Sequence, residues 1–168
     1  RLADRLVANS FAETVFLCNS GAEAMEACIK MARRFHHHRG QPERHRIITF
    51  EGSFHGRTMA TISAAGGAKL TEGFAPLLEG FDHVPFGDHA ALEAVVTDAT
   101  AAIMIEPIQG EGGIRPLPRV CLEGLRELCD RHDILLIFDE VQCGMGRTGH
   151  LFAHQHYGVT PDIMGLAK

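Results

Sequence analysis

Two uninterrupted apolar runs, Ala101–Ile105 and Ile134–Phe138, constrain this chain more than any other feature. A strand with one wet face alternates apolar and polar residues. A run of five with no polar position belongs to a strand covered on both faces, the condition of a parallel sheet. Each run is followed by an acid, Glu106 and Asp139. Thr14–Cys18, Ile47–Phe50 and Ile163–Leu166 read as further strands. Helical patterns lie between them. Met25, Cys28, Ile29, Ala32 and Phe35 share one face of a helix that starts near Gly21. Leu122, Leu125, Leu128, Cys129 and His132 do the same after Pro118, which suits a first-turn position. Ala90–Val96 is a shorter helix. This alternation predicts an α/β chain, a mostly parallel sheet flanked by helices. In such sheets ligands sit beyond the carboxyl ends of the strands, so the informative residues are those where strands stop.

The length of 168 residues suits about one domain, large enough to bury about two thirds of its surface. With 45% hydrophobic and 22% charged residues, a disordered or low-complexity chain is excluded. No apolar run reaches the length of a bilayer span. The formal charge of −5 argues against a polyanion binder. One segment departs from this balance: Lys30 to Arg46 holds six of the sixteen basic residues, four histidines and a single acid, Glu43. A single aromatic residue, Phe35, lies among these charges, too few to stack successive bases, so the segment reads as a solvated helix end, His36–His38 included, whose cations suit the helix dipole. The five cysteines contain no C-x-x-C pair, which points to reduced thiols and a cytoplasmic protein. His150 and His154 have the spacing of one helix face, but no H-E-x-x-H pattern makes a zinc site. The first residue is Arg1, and the chain reads as a piece of something longer.

Five strand ends carry candidate chemistry. After the first comes Asn19-Ser20-Gly21-Ala22-Glu23. Bare N–H groups at a helix start suit a phosphate, although Ser20 and Glu23 have capping-box spacing, which needs no ligand. After the second comes Glu51-Gly52-Ser53-Phe54-His55-Gly56-Arg57-Thr58, where Phe54 can lie on a planar ring and Arg57 offers a fork for a carboxylate. The third ends in Glu106-Pro107-Ile108-Gln109-Gly110-Glu111-Gly112-Gly113, with two acids in a glycine-rich turn. The fourth ends in Asp139-Glu140-Val141-Gln142. An acid straight after a buried run needs a partner, and a magnesium ion is one candidate for it. Of only three lysines, Lys168 alone follows a strand, behind Gly165 and Ala167, so it is the best placed for covalent chemistry.

Taken in order, NSGAEA (19–24), FEGSFHGRT (50–58), EPIQGEGG (106–113), FDEVQCGMGRTG (138–149) and PDIMGLAK (161–168) resemble the class III, fold type I pyridoxal-phosphate aminotransferases of the acetylornithine and ornithine group. The resemblance covers essentially the whole chain. It implies that pyridoxal 5′-phosphate is the cofactor, with Lys168 as the Schiff-base lysine and Asp139 facing the pyridine nitrogen. Val141 and Phe54 take the two ring faces, and Gln142 the phenolic oxygen. Ser20, Gly21 and Ala22 lie at the phosphate, and His55 supports the site. Arg57 becomes the clamp for the substrate carboxylate, and Glu106 and Glu111 line the substrate side. By the same resemblance the reaction is a ping-pong transfer of the terminal amine of N-acetylornithine to 2-oxoglutarate, by a homodimer, in arginine biosynthesis. Residues 1–168 correspond to the central part of the large cofactor domain, inactive alone, without the family's N-terminal segment and C-terminal small domain. Ornithine, succinylornithine and 4-aminobutyrate transaminases and aminomutases share these motifs. A metal-dependent α/β enzyme built on Asp139, or a nucleic-acid-binding module built on the basic segment, is the alternative from another class.

Overall fold

The computed structural model describes residues 1–168. In chain order its elements are α1 (Leu2–Asn9), α2 (Gly21–His38), β1 (Arg46–Phe50), α3 (Met59–Ala65), α4 (Ala68–Thr71), β2 (Phe81–Val84), α5 (His89–Val95), β3 (Thr100–Ile105), β4 (Ile108–Gln109), β5 (Arg115–Pro116), α6 (Arg119–His132), β6 (Leu135–Asp139), α7 (Ala153–Tyr157) and β7 (Ile163–Gly165). Five strands form one sheet in the order β2-β1-β3-β6-β7, and every neighbouring pair is parallel. β4 and β5 form a separate antiparallel hairpin.

The apolar runs are explained by two cores, one on each face of the sheet. In β3, Ile103 and Ile105 point into one core and Ala102 and Met104 into the other. β6 divides in the same way, with Leu136 and Phe138 on the first side and Ile137 on the second. Leu122, Leu125, Leu128 and Cys129 of α6 and Leu92 of α5 complete the first core. Met25, Cys28, Ile29 and Ala32 of α2 and Ala60 and Ala64 of α3 complete the second. The alternation of strand and helix thus closes the sheet on both faces.

Several expectations are corrected. Thr14–Cys18 forms no strand, because its backbone groups find no partner strand. Phe35 is 41% exposed, and His36 takes its place in the core with no exposed surface. Ala32 plus four residues is the next inward position of α2, and the imidazole Nε2 reaches the Ala101 carbonyl at 2.9 Å. Only His37 and His38 of that histidine run face solvent. His132 is exposed at the end of α6, and Pro118 is that helix's N-cap residue, one position before the first turn. His150 packs beside His156, with ring centroids 5.2 Å apart, whereas His154 is buried between Phe11 and Phe152.

The basic segment acts as a set of clamps. Arg33 donates to the His45 and Glu79 carbonyls. Arg39 pairs with Asp133 at 2.9 Å, and Arg44 donates to the Asp133 carbonyl at 2.7 Å. Arg46 grips Asp82 on the neighbouring strand through two contacts. Four of the six cations therefore tie the end of α2 and the entry to β1 to the rest of the fold.

Replacing His36 by Ala removes a buried ring and leaves the Ala101 carbonyl without its donor. It is expected to lower the unfolding free energy of the full-length protein by about 2–3 kcal/mol, read by chemical denaturation. A loss below 0.5 kcal/mol contradicts this role.

Candidate active site

The residues singled out at the strand ends gather at one edge of the sheet. Asp139 closes β6 and pairs in register with Gly165 of β7, and the Glu140 N–H donates to the Gly165 carbonyl at 2.9 Å. Lys168 lies three residues beyond that pair. Asp139 is 2% exposed, and a carboxylate so dry needs partners. Oδ1 accepts the Val141 N–H at 3.0 Å, and Oδ2 accepts from His55 Nδ1 at 2.7 Å. By accepting a hydrogen bond from the Nδ1–H, the carboxylate fixes the His55 tautomer. His55 is equally buried, and its Nε2 has no partner.

The start of α2 lies beside this pair. Ser20 caps the helix, its Oγ accepting the Glu23 N–H at 3.3 Å, while the Glu23 carboxylate takes the Asn19 N–H at 2.8 Å. The capping box expected from the spacing is present. It leaves the N–H groups of Gly21 and Ala22 without acceptors, as the first turn of a helix does. Close approach fixes two glycines. A Cβ on Gly21 would stand 2.9 Å from Val141 Cγ1 and 3.4 Å from the Ala167 Cβ. Gly56 has φ +131°, and a Cβ there would stand 2.8 Å from the Ala22 Cβ. The loop after β1, the start of α2, Val141 and the residue before Lys168 thus converge.

Phe54 is half-buried, and the Arg57 guanidinium lies over its ring, 5.4 Å from the centroid. Arg57 is exposed and has no carboxylate partner. Gln142 is half-buried and packs its amide against Gly110, where any Cβ would collide with it. Glu111 is exposed at the tip of the β4–β5 turn. Glu106 sits beneath that turn, 3% exposed. Its Oε2 accepts the Phe54 N–H at 3.0 Å and its Oε1 the Gly110 N–H at 3.4 Å. Burial, reinforced by the charge of Asp139 and opposed by His55, pushes the Glu106 carboxyl up to about 7. Lys168 is exposed at one end of an open groove of about 810 Å³, which runs between Thr14–Ser20 and Ile163–Lys168.

Glu140 was not among the residues singled out, yet it has no exposed surface. Its two oxygens accept the N–H groups of Ala153 and His154 at 2.6 and 2.7 Å, pinning α7 beside the start of the Val141–Gln142 loop. The one available signal was a second acid directly after a buried run. Gln109 was likewise missed. Its amide holds the Glu51 carbonyl at 2.9 Å and so ties two loops together.

Bare N–H groups at a helix start attract an anion. Apolar side chains such as Val141 and Phe54 can pack on a flat ring, a buried carboxylate can accept a ring N–H, and a lysine amine such as that of Lys168 can form a covalent bond to a carbonyl carbon.

The class-III aminotransferase family model matches residues 1–168, and the chain belongs to that family. Acetylornithine aminotransferase of Mesorhizobium japonicum is 62% identical over 168 residues, which are 100% of this chain and 42% of that protein. N-acetylornithine aminotransferase from Stenotrophomonas maltophilia K279a superposes with a TM-score of 0.82 at 48% identity, covering 99% of this chain and 41% of that one. An (S)-enantioselective omega-transaminase from Thermomicrobium roseum gives a TM-score of 0.94 at 35% identity, covering 99% and 42%. The chain therefore spans about two fifths of the length of its relatives. No helix is long and apolar enough to cross a membrane.

Two outcomes follow for the full-length protein. Gly56→Ala forces a side chain into positive φ against Ala22 and is expected to cost about 2–4 kcal/mol of stability in denaturant titration. Glu106 binds its proton more tightly folded than unfolded, so between about pH 4.5 and 7 its contribution to stability falls as pH rises. Glu106→Gln is expected to flatten that fall, on the order of 2–3 kcal/mol across the window. Parallel pH profiles of the two proteins refute it.

Proposed function

We propose that this chain is the cofactor-binding part of an aminotransferase that moves the terminal amine of N-acetylornithine to 2-oxoglutarate, in arginine biosynthesis. The observation that carries the reading is the 62% identity, over the whole chain, with the Mesorhizobium japonicum acetylornithine aminotransferase. Residues 1–168 are, in this reading, a central piece of the large domain, and a C-terminal small domain belongs to the whole enzyme.

The family's cofactor is pyridoxal 5′-phosphate, and the residues present fit it. The free N–H groups of Gly21 and Ala22, with Ser20 at the cap, suit the phosphate. Gly21 meets Val141 at a distance that excludes any larger residue, which keeps the α2 start open to an anion. Asp139 has used only two of about four acceptor positions, so it can take a ring N–H as well. When bound there, the cofactor supplies an electron sink for charge developing at the amine-bearing carbon.

The chain's own residues perform the remaining tasks. Asp139 holds a proton on the ring nitrogen by its negative charge, and His55 keeps the carboxylate aimed. Val141 and Phe54 hold the ring plane and exclude water from its faces. Gln142 donates from its amide to the ring's phenolic oxygen. Lys168 Nζ would hold the cofactor through its carbonyl carbon and, once displaced by the substrate amine, would be free to move the proton at the reacting carbon. Arg57 leaves the face of Phe54 to grip the substrate carboxylate with two N–H groups, which sets the reacting carbon in place. Glu111 lines the substrate side.

Full-length protein is expected to form glutamate from N-acetylornithine and 2-oxoglutarate. Absence of cofactor-dependent turnover with that pair, alongside turnover with a different amine donor, overturns the substrate assignment. Arg57→Ala is expected to raise KM for both substrates on the order of 100-fold, as for a lost bidentate charge pair. Borohydride reduction followed by peptide mapping is expected to find the cofactor on Lys168, and its recovery on Lys30 or Lys69 refutes the site.

A further inference from the structure

Glu106 is a buried acid that amino transfer as described above does not use. It stands at the end of β3, beside Asp139 at the end of β6, on two strands paired in register. Between the two acids runs the short segment Phe54–His55. Glu106 takes the backbone N–H of Phe54 at 3.0 Å, and Asp139 takes the side chain of the next residue, His55, at 2.7 Å. One segment is therefore pinned from two sides by two buried carboxylates. The second oxygen of Glu106 reaches the Gly110 N–H at 3.4 Å, so the same carboxylate also straps the turn after β3.

The imidazole of His55 has a single anchor. Its Nδ1 is on Asp139, and its buried Nε2 meets no donor or acceptor. A ring held at one nitrogen keeps its aim only if its backbone is held as well. The Gly56 peptide that follows, with φ +131°, offers no stiffness of its own. The restraint on the other side is the Glu106–Phe54 hydrogen bond, a charge-assisted bond when the carboxylate is ionised.

We infer that Glu106 is a positioning residue: by holding the Phe54 amide it sets Phe54 against the cofactor ring and locks His55 on Asp139. This rests on Asp139 and Phe54 being the ring contacts proposed above. It moves Glu106 from the substrate wall to the support of the cofactor. Loss of Glu106 then weakens cofactor binding and slows turnover but leaves substrate affinity alone.

The test uses the full-length holoenzyme and four proteins: wild type, E106Q, H55Q and the double variant. The cofactor dissociation constant is read from absorbance during titration of the stripped protein with pyridoxal 5′-phosphate, and KM and kcat are measured at saturating cofactor. E106Q keeps one accepting oxygen but exchanges the other for an NH2 group that cannot accept, and removes the charge that strengthens the Phe54 bond, so it is expected to raise the cofactor dissociation constant on the order of tenfold. It lowers kcat and leaves KM for N-acetylornithine within twofold. If Glu106 acts through His55, adding E106Q to H55Q weakens cofactor binding much less than E106Q does alone. A raised KM with an unchanged cofactor constant, or additive effects in the double variant, overturns the inference. Should E106Q not fold, E106D, which keeps the charge but shortens the arm, is expected to show the same split between cofactor constant and KM. Unchanged cofactor binding in E106D then refutes the inference. If wild-type protein binds no cofactor, the functional reading fails. Normal wild-type binding with E106Q indistinguishable from it sinks this inference alone.

Discussion

The hydrogen bond between His55 and Asp139 joins the two halves of the site, and much of the local sequence serves it. Asp139 ends a strand buried on both faces, so its carboxylate is already out of water before any ligand arrives. Such a group persists only if protein donors replace the solvent. One donor is local, the N–H of Val141, and the other comes from 84 residues away in sequence. That second donor obliges the loop after β1 to fold over the end of β6. Gly56 permits the required backbone, and Ser53 turns the loop by donating to the Phe50 carbonyl.

The parallel sheet makes this meeting possible. Because all five strands run the same way, the ends of β1, β3, β6 and β7 share one edge. Each delivers one functional segment there, and those after β1, β3 and β6 are tied to one another by short contacts. Glu106 reaches the loop after β1, Gln109 reaches Glu51, and Gln142 rests on Gly110. The site is thus built from short reaches between neighbouring strand ends on a rigid platform.

The strands and long helices were legible because burial on both faces leaves an unmistakable apolar run and a 3.6-residue period marks α2 and α6. Asp139, Lys168, Phe54 and Arg57 were legible by their position after those runs. What escaped depended on partners distant in sequence. Thr14–Cys18 has the composition of a strand but no neighbour to pair with. β2 mixes Asp82 and His83 into an edge strand, and the pattern gave it no distinct period. His36 looked like one more solvent-facing histidine, and only the position of the Ala101 carbonyl makes it a core residue. Glu106 and Glu140 stand beside buried runs, which marks their position but not the groups they hold. Their acceptors' partners are backbone amides, which every sequence offers everywhere.

The β4–β5 hairpin stands apart from the main ladder. It is joined to the sheet's edge through Glu106 and Gln109 at its base; at its tip the half-buried Gly110 and Gly112 pack against Gln142 and Gln109, and Glu111 and Ile114 are exposed. The side chains of Glu111 and Ile114 point into open solvent and can change size and charge while the glycines beside them and the buried base stay constant. Divergence among enzymes of this architecture can therefore accumulate at Glu111 and its neighbours without unseating the machinery underneath, which makes the hairpin a natural place for new specificities to be tried.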